Sequence, residues 1–144
     1  MIKQDTVIVV FLRSPNAPVK KTRLAKELGK LDSSQVYQIL VNKILKDVQQ
    51  IPNVDKCLSL HSMSDKDLQW FRKRRLAKGW LIFEQTGFCL GERIHNTFVR
   101  LSSVYDRTLL VGSDIADSTS NDLILAINKL ENREDIVVGP SADG

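Results

Sequence analysis

Apolar positions along this chain follow two alternating rhythms, short unbroken runs and stripes of helical spacing. Thr6-Val7-Ile8-Val9-Val10-Phe11-Leu12 is β-branched and apolar without alternation, the pattern of a strand buried on both faces of a parallel sheet, and it predicts a central strand. Beyond a break at Pro15 and Pro18, residues 24–28 read as a short helix stopped at Gly29. Val36, Leu40, Ile44 and Val48, joined by Ile39 and Leu45, draw a helical stripe that ends before Pro52 and opens on a capping-box pattern at Asp32-Ser33-Ser34-Gln35. Tyr37 and Asp47 lie off the centre of that stripe and read as surface or edge residues.

Residues 54–60 read as the second strand, with Cys57, Leu58 and Leu60 contributing apolar bulk, and Ser64-Asp65-Lys66-Asp67 opens a helix carrying Leu68, Trp70, Phe71 and Leu76, closed by Gly79. A short strand over 80–84 leads into a loop with two glycines and a helix bearing Ile94, Phe98 and Leu101. Thr108-Leu109-Leu110-Val111 then ends at Gly112, and Thr119 to Asp122 has the form of another capping box ahead of Leu123, Ile127 and Leu130. Residues 135–138 predict a last strand. Strands alternating with helices imply an α/β fold, a mostly parallel sheet covered on both faces.

Length changes the picture little: 144 residues suit a single domain, 1–144, with a real core. The longest apolar run, six residues from Val7, is far short of the roughly 20 needed to span a bilayer, so no membrane is expected. The N-terminal residues lack the pattern of a secretion signal, which makes the cytoplasm the expected location. Cys57 and Cys89 show no CxxC spacing and no paired histidines, so neither zinc nor a disulfide framework is indicated, and Cys57 reads as a small core hydrophobe. His61 and His95 likewise stand alone.

Charge adds a direction. Twenty-one Lys and Arg against 17 Asp and Glu give a net +4, which suits an anionic partner without identifying it. Arg13, Lys20, Lys21 and Arg23 crowd the loop after the first strand. Forked Arg donors and compact Lys charges there suit a pyrophosphate, and a solvated basic loop accounts for them equally well. The basic residues from Arg72 to Lys78 read as a solvated helix face, since no nucleic-acid motif accompanies them; nucleic-acid binding is the lesser reading. Asp114 follows the strand that ends at Gly112, where ligands meet open α/β sheets, although Asp114 and Asp117 also suit simple turn capping. The chain has no GxGxxG and no GxxxxGK[ST], so a nucleotide would need another means of support.

Five segments in this order carry a resemblance. They are the strand into Arg13-Ser14-Pro15, Pro18-Val19-Lys20-Lys21-Thr22-Arg23-Leu24-Ala25, Gln85 with Leu90-Gly91-Glu92-Arg93, Val111-Gly112-Ser113-Asp114, and Gly139-Pro140-Ser141-Ala142-Asp143-Gly144. Together they resemble the bacterial glycosyltransferase family known as radical-SAM/selenodomain-associated or arsenosugar-biosynthesis transferases, within the nucleotide-diphospho-sugar transferase superfamily. The resemblance implies a Rossmann-like sheet sandwiched by helices, the A-type glycosyltransferase fold, with a nucleotide bound beside divalent Mg²⁺ or Mn²⁺.

It further implies that Arg13, Lys21, Arg23, Gln85, Gly91, Arg93 and Ser113 hold the nucleotide and its phosphates, and that Asp114 and Asp143 hold the metal. The partner it implies is a nucleotide-sugar or a nucleoside triphosphate. Similarity to guanylyltransferases of cofactor biosynthesis through Lys-Thr-Arg-Leu keeps nucleotidyl transfer as an alternative. The sequence departs from the family at Ile115-Ala116-Asp117, where a small residue and proline are usual, and at Gly144, where family members continue. A chain lacking that C-terminal part implies a third reading, a non-catalytic nucleotide-binding or assembly module, and an open sheet edge would favour a homo-oligomer.

Overall fold

The computed structural model describes residues 4–16, 30–115, 117–130 and 136–139. Strand β1 (Gln4–Leu12) leads to helix α1 (Lys30–Gln49), then β2 (Asp55–Leu60), α2 (Asp65–Lys73), β3 (Leu81–Glu84), α3 (Leu90–Ser102), β4 (Tyr105–Gly112) and α4 (Ser120–Lys129). The strands form one sheet in the order β3-β2-β1-β4, with every pairing parallel. The unalternated run of β1 is therefore central: Val9 pairs with Cys57 of β2 and Leu110 of β4.

Side chains of successive strand residues point to opposite faces, and β1 accordingly feeds two cores. Ile8, Val10 and Leu12, with Leu58, Leu60 and Val111, meet Val41, Ile44, Leu45 and Val48 of α1, Trp70 and Phe71 of α2, and Leu123 and Ile127 of α4. Val7 and Val9 meet Cys57, Phe83, Tyr105 and Leu101 of α3 on the other face. Val7 to Val10 are wholly buried. Burying a side chain of this size contributes about 1.5–3 kcal/mol, so the N-terminal strand anchors both layers.

The local start signals are realised at two helices. The Ser64 side chain accepts from the Asp67 amide at α2, and Thr119 with Asp122 forms a complete capping box at α4. The third differs. Helix α1 is already under way at Lys30, so Asp32 to Gln35 lies inside the helix, where tertiary packing overrides a local capping preference. Its buried stripe is Val41, Ile44, Leu45 and Val48, whereas Ile39 faces outward.

Helix α2 stops at Lys73, short of Leu76, because Arg75 and Ala77 adopt left-handed φ values of 51° and 54° that no α-helix accommodates. Gly79, also left-handed, completes the turn. Strand β4 begins at Tyr105, three residues ahead of the apolar run, carried by its ladder with β1. Residues 136–139 form no strand; Ile136 and Val138 are largely exposed, and an apolar run becomes a strand only with a ladder partner. The short helix expected over 24–28 lies outside the described residues.

Candidate functional site

All four strands are parallel, so their carboxyl ends form one rim. Arg13 follows β1, His61 follows β2, Gln85 follows β3, and Ser113 and Asp114 follow β4. Ligands of open α/β sheets bind beyond such ends. A continuous band of hydrogen bonds crosses this rim from β4 to β3.

The band starts at Tyr37 of α1. Its hydroxyl lies 3.1 Å from Ser113 Oγ, accepts the Arg13 amide at 3.0 Å and donates to the Arg13 carbonyl at 3.1 Å. With its one hydrogen given to that carbonyl, the phenol oxygen accepts both the amide and the Ser113 hydroxyl. Burial pushes the Tyr37 phenol above its ordinary pKa, and the nearby Asp114 charge pushes the same way, against the hydrogen bonds to Ser113 and Arg13. The phenol therefore stays protonated at neutral pH. Through this hydroxyl the backbone of Arg13 and the Ser113 side chain, with Asp114 next in sequence, are brought to one place.

The band continues at Leu12, whose carbonyl accepts the His61 amide at 3.0 Å and the Gln85 side-chain amide at 3.3 Å. Gln85 also donates to the Ser59 carbonyl at 2.8 Å, and its backbone amide donates to Leu60 at 2.7 Å. Both hydrogens of its side-chain amide are thus committed to backbone, which leaves the side-chain oxygen for a ligand. Arg93 donates from Nε to the Gly87 carbonyl at 2.9 Å and from Nη1 to His61 Nδ1. A guanidinium donates only, so Nδ1 accepts and the imidazole carries its proton elsewhere.

Two loops are held rigid from outside the rim. Asp67, 1% exposed at the start of α2, accepts from Ser14 Oγ, from Asn16 Nδ2 at 3.0 Å and from Ser64 Oγ at 2.7 Å. Gly87 has φ 133°, and a Cβ there would come 2.8 Å from Glu92 Cβ, so only glycine lets the loop after β3 close on α3. Glu92 accepts the Phe88 amide at 2.7 Å across the same turn. Gly91, in the first turn of α3, is exposed and open.

Of the nine residues expected from the sequence, Arg13, Ser113 and Asp114 are gathered around Tyr37, while Gln85, Gly91 and Arg93 lie on the β2–β3 side of the rim. Lys21, Arg23 and Asp143 lie outside the described residues. The sequence reading placed Tyr37 at the surface or an edge and gave Asp67 only a capping role; Tyr37 joins the ends of β1 and β4, and Asp67 joins the loops after β1 and β2. The one signal for Tyr37 was a polar aromatic residue in the early part of a helix that follows the central strand. Asp114 is exposed, and its Oδ1 lies 3.0 Å from where a Cβ on Gly112 would stand. The missing side chain of Gly112 thus leaves room for the carboxylate to fold back over the strand end. No three His, Cys, Asp or Glu side chains converge among the described residues.

An all-parallel sheet between helix layers, with a polar rim at its carboxyl end, is the Rossmann-like α/β fold of nucleotide-diphospho-sugar transferases. Two solved chains match, one of them the crystal structure of a "putative nucleotide-diphospho-sugar transferase" from Desulfovibrio desulfuricans G20. It shares 28% sequence identity with this chain at a TM-score of 0.71, over 89% of this chain and 55% of its own. This chain therefore spans about half the length of that structure. No curated protein matches it. The chain belongs to the family described as "Uncharacterized protein conserved in bacteria (DUF2064)", which matches residues 44–144.

Proposed function

We propose that this chain acts as a metal-dependent glycosyltransferase that takes a nucleotide-diphospho-sugar donor. The observation that carries this reading is the Tyr37 hydroxyl, which holds the ends of β1 and β4 together so that Arg13, Ser113 and Asp114 share one rim. The likeness to a nucleotide-diphospho-sugar transferase supports it.

The donor set suits a hard divalent ion with a diphosphate. Mg²⁺ is commonly held by one or two carboxylates together with phosphate oxygens, so an exposed Asp114 fits without a full cage of protein ligands. A bound Mg²⁺ or Mn²⁺ would supply charge stabilisation for the departing nucleoside diphosphate. Asp114 would hold that ion, joined by Asp143. Arg13 offers forked donors to a phosphate, and Lys21 and Arg23 would add positive charge from the same loop. Tyr37 orients rather than reacts, since its hydroxyl is committed on both sides.

Calorimetric titration of nucleoside diphosphates with and without Mn²⁺ tests the reading. The expected result is saturable, Mn²⁺-dependent binding that Asp114→Asn abolishes. Absence of binding with every base, or binding that persists unchanged in Asp114→Asn, refutes it. With a nucleotide-sugar donor the product to be detected is the nucleoside diphosphate, whereas pyrophosphate from a triphosphate would mark nucleotidyl transfer.

A further inference from the structure

At the opposite end of the sheet lies a cavity of about 680 Å³ beside the α2–β3 connection. Because β2 and β3 are parallel, α2 carries the chain from the carboxyl end of one to the amino end of the other. This cavity is therefore remote from the rim. Phe71, Leu76 and Ile82 give it an apolar floor, and Arg72, Arg75 and Lys78 stand along it. Its volume falls within the roughly 300–1,000 Å³ of small-molecule sites.

Two further features point to an anion. Arg72, Arg75 and Lys78 are exposed and form no ion pair among the described residues. Arg74, by contrast, stacks 4.1 Å from the Trp70 ring and so is already engaged. The backbone is also unusual: Arg75, Ala77 and Gly79 take φ values of 51°, 54° and 81°. That stretch, residues 74–79, is one continuous turn between α2 and β3. Left-handed residues interleaved in a turn expose successive N–H groups that suit an anion.

We propose that this cavity binds a small amphipathic anion, an apolar body carrying a phosphate or carboxylate head. The apolar floor takes the body, and Arg72, Arg75 and Lys78 take the head. A concave pocket favours such a ligand over nucleic acid, which needs a basic surface tracking its backbone. This site stands independently of the donor-binding reading, because it lies at the other end of the sheet and uses none of its residues.

The test is a titration of the intact chain with octyl phosphate, followed by the backbone amide signals of residues 76–79, with octanol and inorganic phosphate as separate arms. Octyl phosphate is expected to saturate and shift those four amides. Octanol should bind about tenfold more weakly, as should octyl phosphate to the Arg72→Gln/Lys78→Gln double variant, the effect of losing a charge-assisted contact, and inorganic phosphate should bind at least about tenfold more weakly because it lacks the apolar body. Shifts confined to other residues, equal affinity for inorganic phosphate, or unchanged affinity in the double variant would overturn the proposal. So would phosphatidylserine vesicles or a single-stranded oligonucleotide binding through Arg72 and Lys78 while octyl phosphate does not. A urea unfolding curve of the double variant that matches the parent shows that any loss is local.

Discussion

The hydroxyls of Tyr37 and Ser113 meet at 3.1 Å across 76 positions of sequence. One belongs to a helix on the β1 side, the other to the turn after β4, and the contact closes the gap between the two strand ends. Ser113 is nearly buried, at 6% exposure, so its hydroxyl depends on this partner.

Tyr37→Phe should therefore lower stability. It removes the oxygen that serves Ser113 and the exposed Arg13 backbone, and leaving the buried Ser113 hydroxyl unsatisfied costs about 1–3 kcal/mol. A shift of the urea midpoint measures this. If the rim binds a nucleoside diphosphate, affinity in the same variant should fall as well; unchanged stability would show that water replaces the phenol at no cost.

Asp114→Asn should leave stability within about 0.5 kcal/mol of the parent, the usual range for an exposed substitution, while removing Mn²⁺-dependent nucleotide affinity. Gly112→Ala is a second probe. It keeps every charge yet sets a Cβ 3.0 Å from Asp114 Oδ1, so the carboxylate must move. Metal-dependent affinity should fall in both variants, read by calorimetry.

Asp67 predicts a pH dependence. Burial acts to raise its pKa, but hydrogen bonds from Ser14, Asn16 and Ser64 outweigh this and hold the carboxyl below its ordinary value. A depressed folded pKa means that the unfolded chain takes up its proton first as pH falls. The stabilisation is thus complete above the unfolded value of about 3.9 and is lost as pH drops through the folded one. Asp5, held low chiefly by the Arg107 hydrogen bond, and Asp122, held low chiefly by the Thr119 backbone, act in the same direction. Asp67→Asn should cost about 2 kcal/mol at pH 7 and flatten, without removing, the fall in urea midpoint on acidification. Parallel curves for variant and parent would contradict this.

The two cysteines should react differently. Cys57 is fully buried, and burial followed by the Asp55 charge pushes its thiol up to about 11. Cys89 is exposed at the start of α3. Ellman's reagent at pH 8 should titrate one thiol in the folded protein and both in denaturant, because the thiolate is the reacting form. Rapid reaction of both thiols without denaturant would show that the α3 side of the sheet opens readily.

How far the sequence could be read depended on the range of the forces involved. The unalternated β1 run, the cap at Ser64 and the capping box at Thr119 are local patterns, and each fixed its element. Alternating strands and helices then left a parallel sheet as the economical topology, with Asp114 and Arg13 at its carboxyl end. Helix α1, by contrast, ran through its apparent cap, and the 136–138 run stayed out of the sheet, since packing and ladder partners outweigh residue preference.

What the amino-acid order determined alone was the alternation of β1 to β4 with the helices between them, their parallel arrangement and the end of the sheet at which Arg13 and Asp114 stand. The tertiary structure decided the partners. Tyr37 read as a surface or edge residue, and the fold brought its hydroxyl to Arg13 and Ser113; Asp67 read as part of a cap, and Ser14 and Asn16 reached it; the carbonyls of Leu12 and Ser59 took the side-chain amide of Gln85 and left its oxygen. Hydrogen bonds act over about 3 Å, so groups dozens of residues apart acquire their roles only when the chain has closed around the sheet.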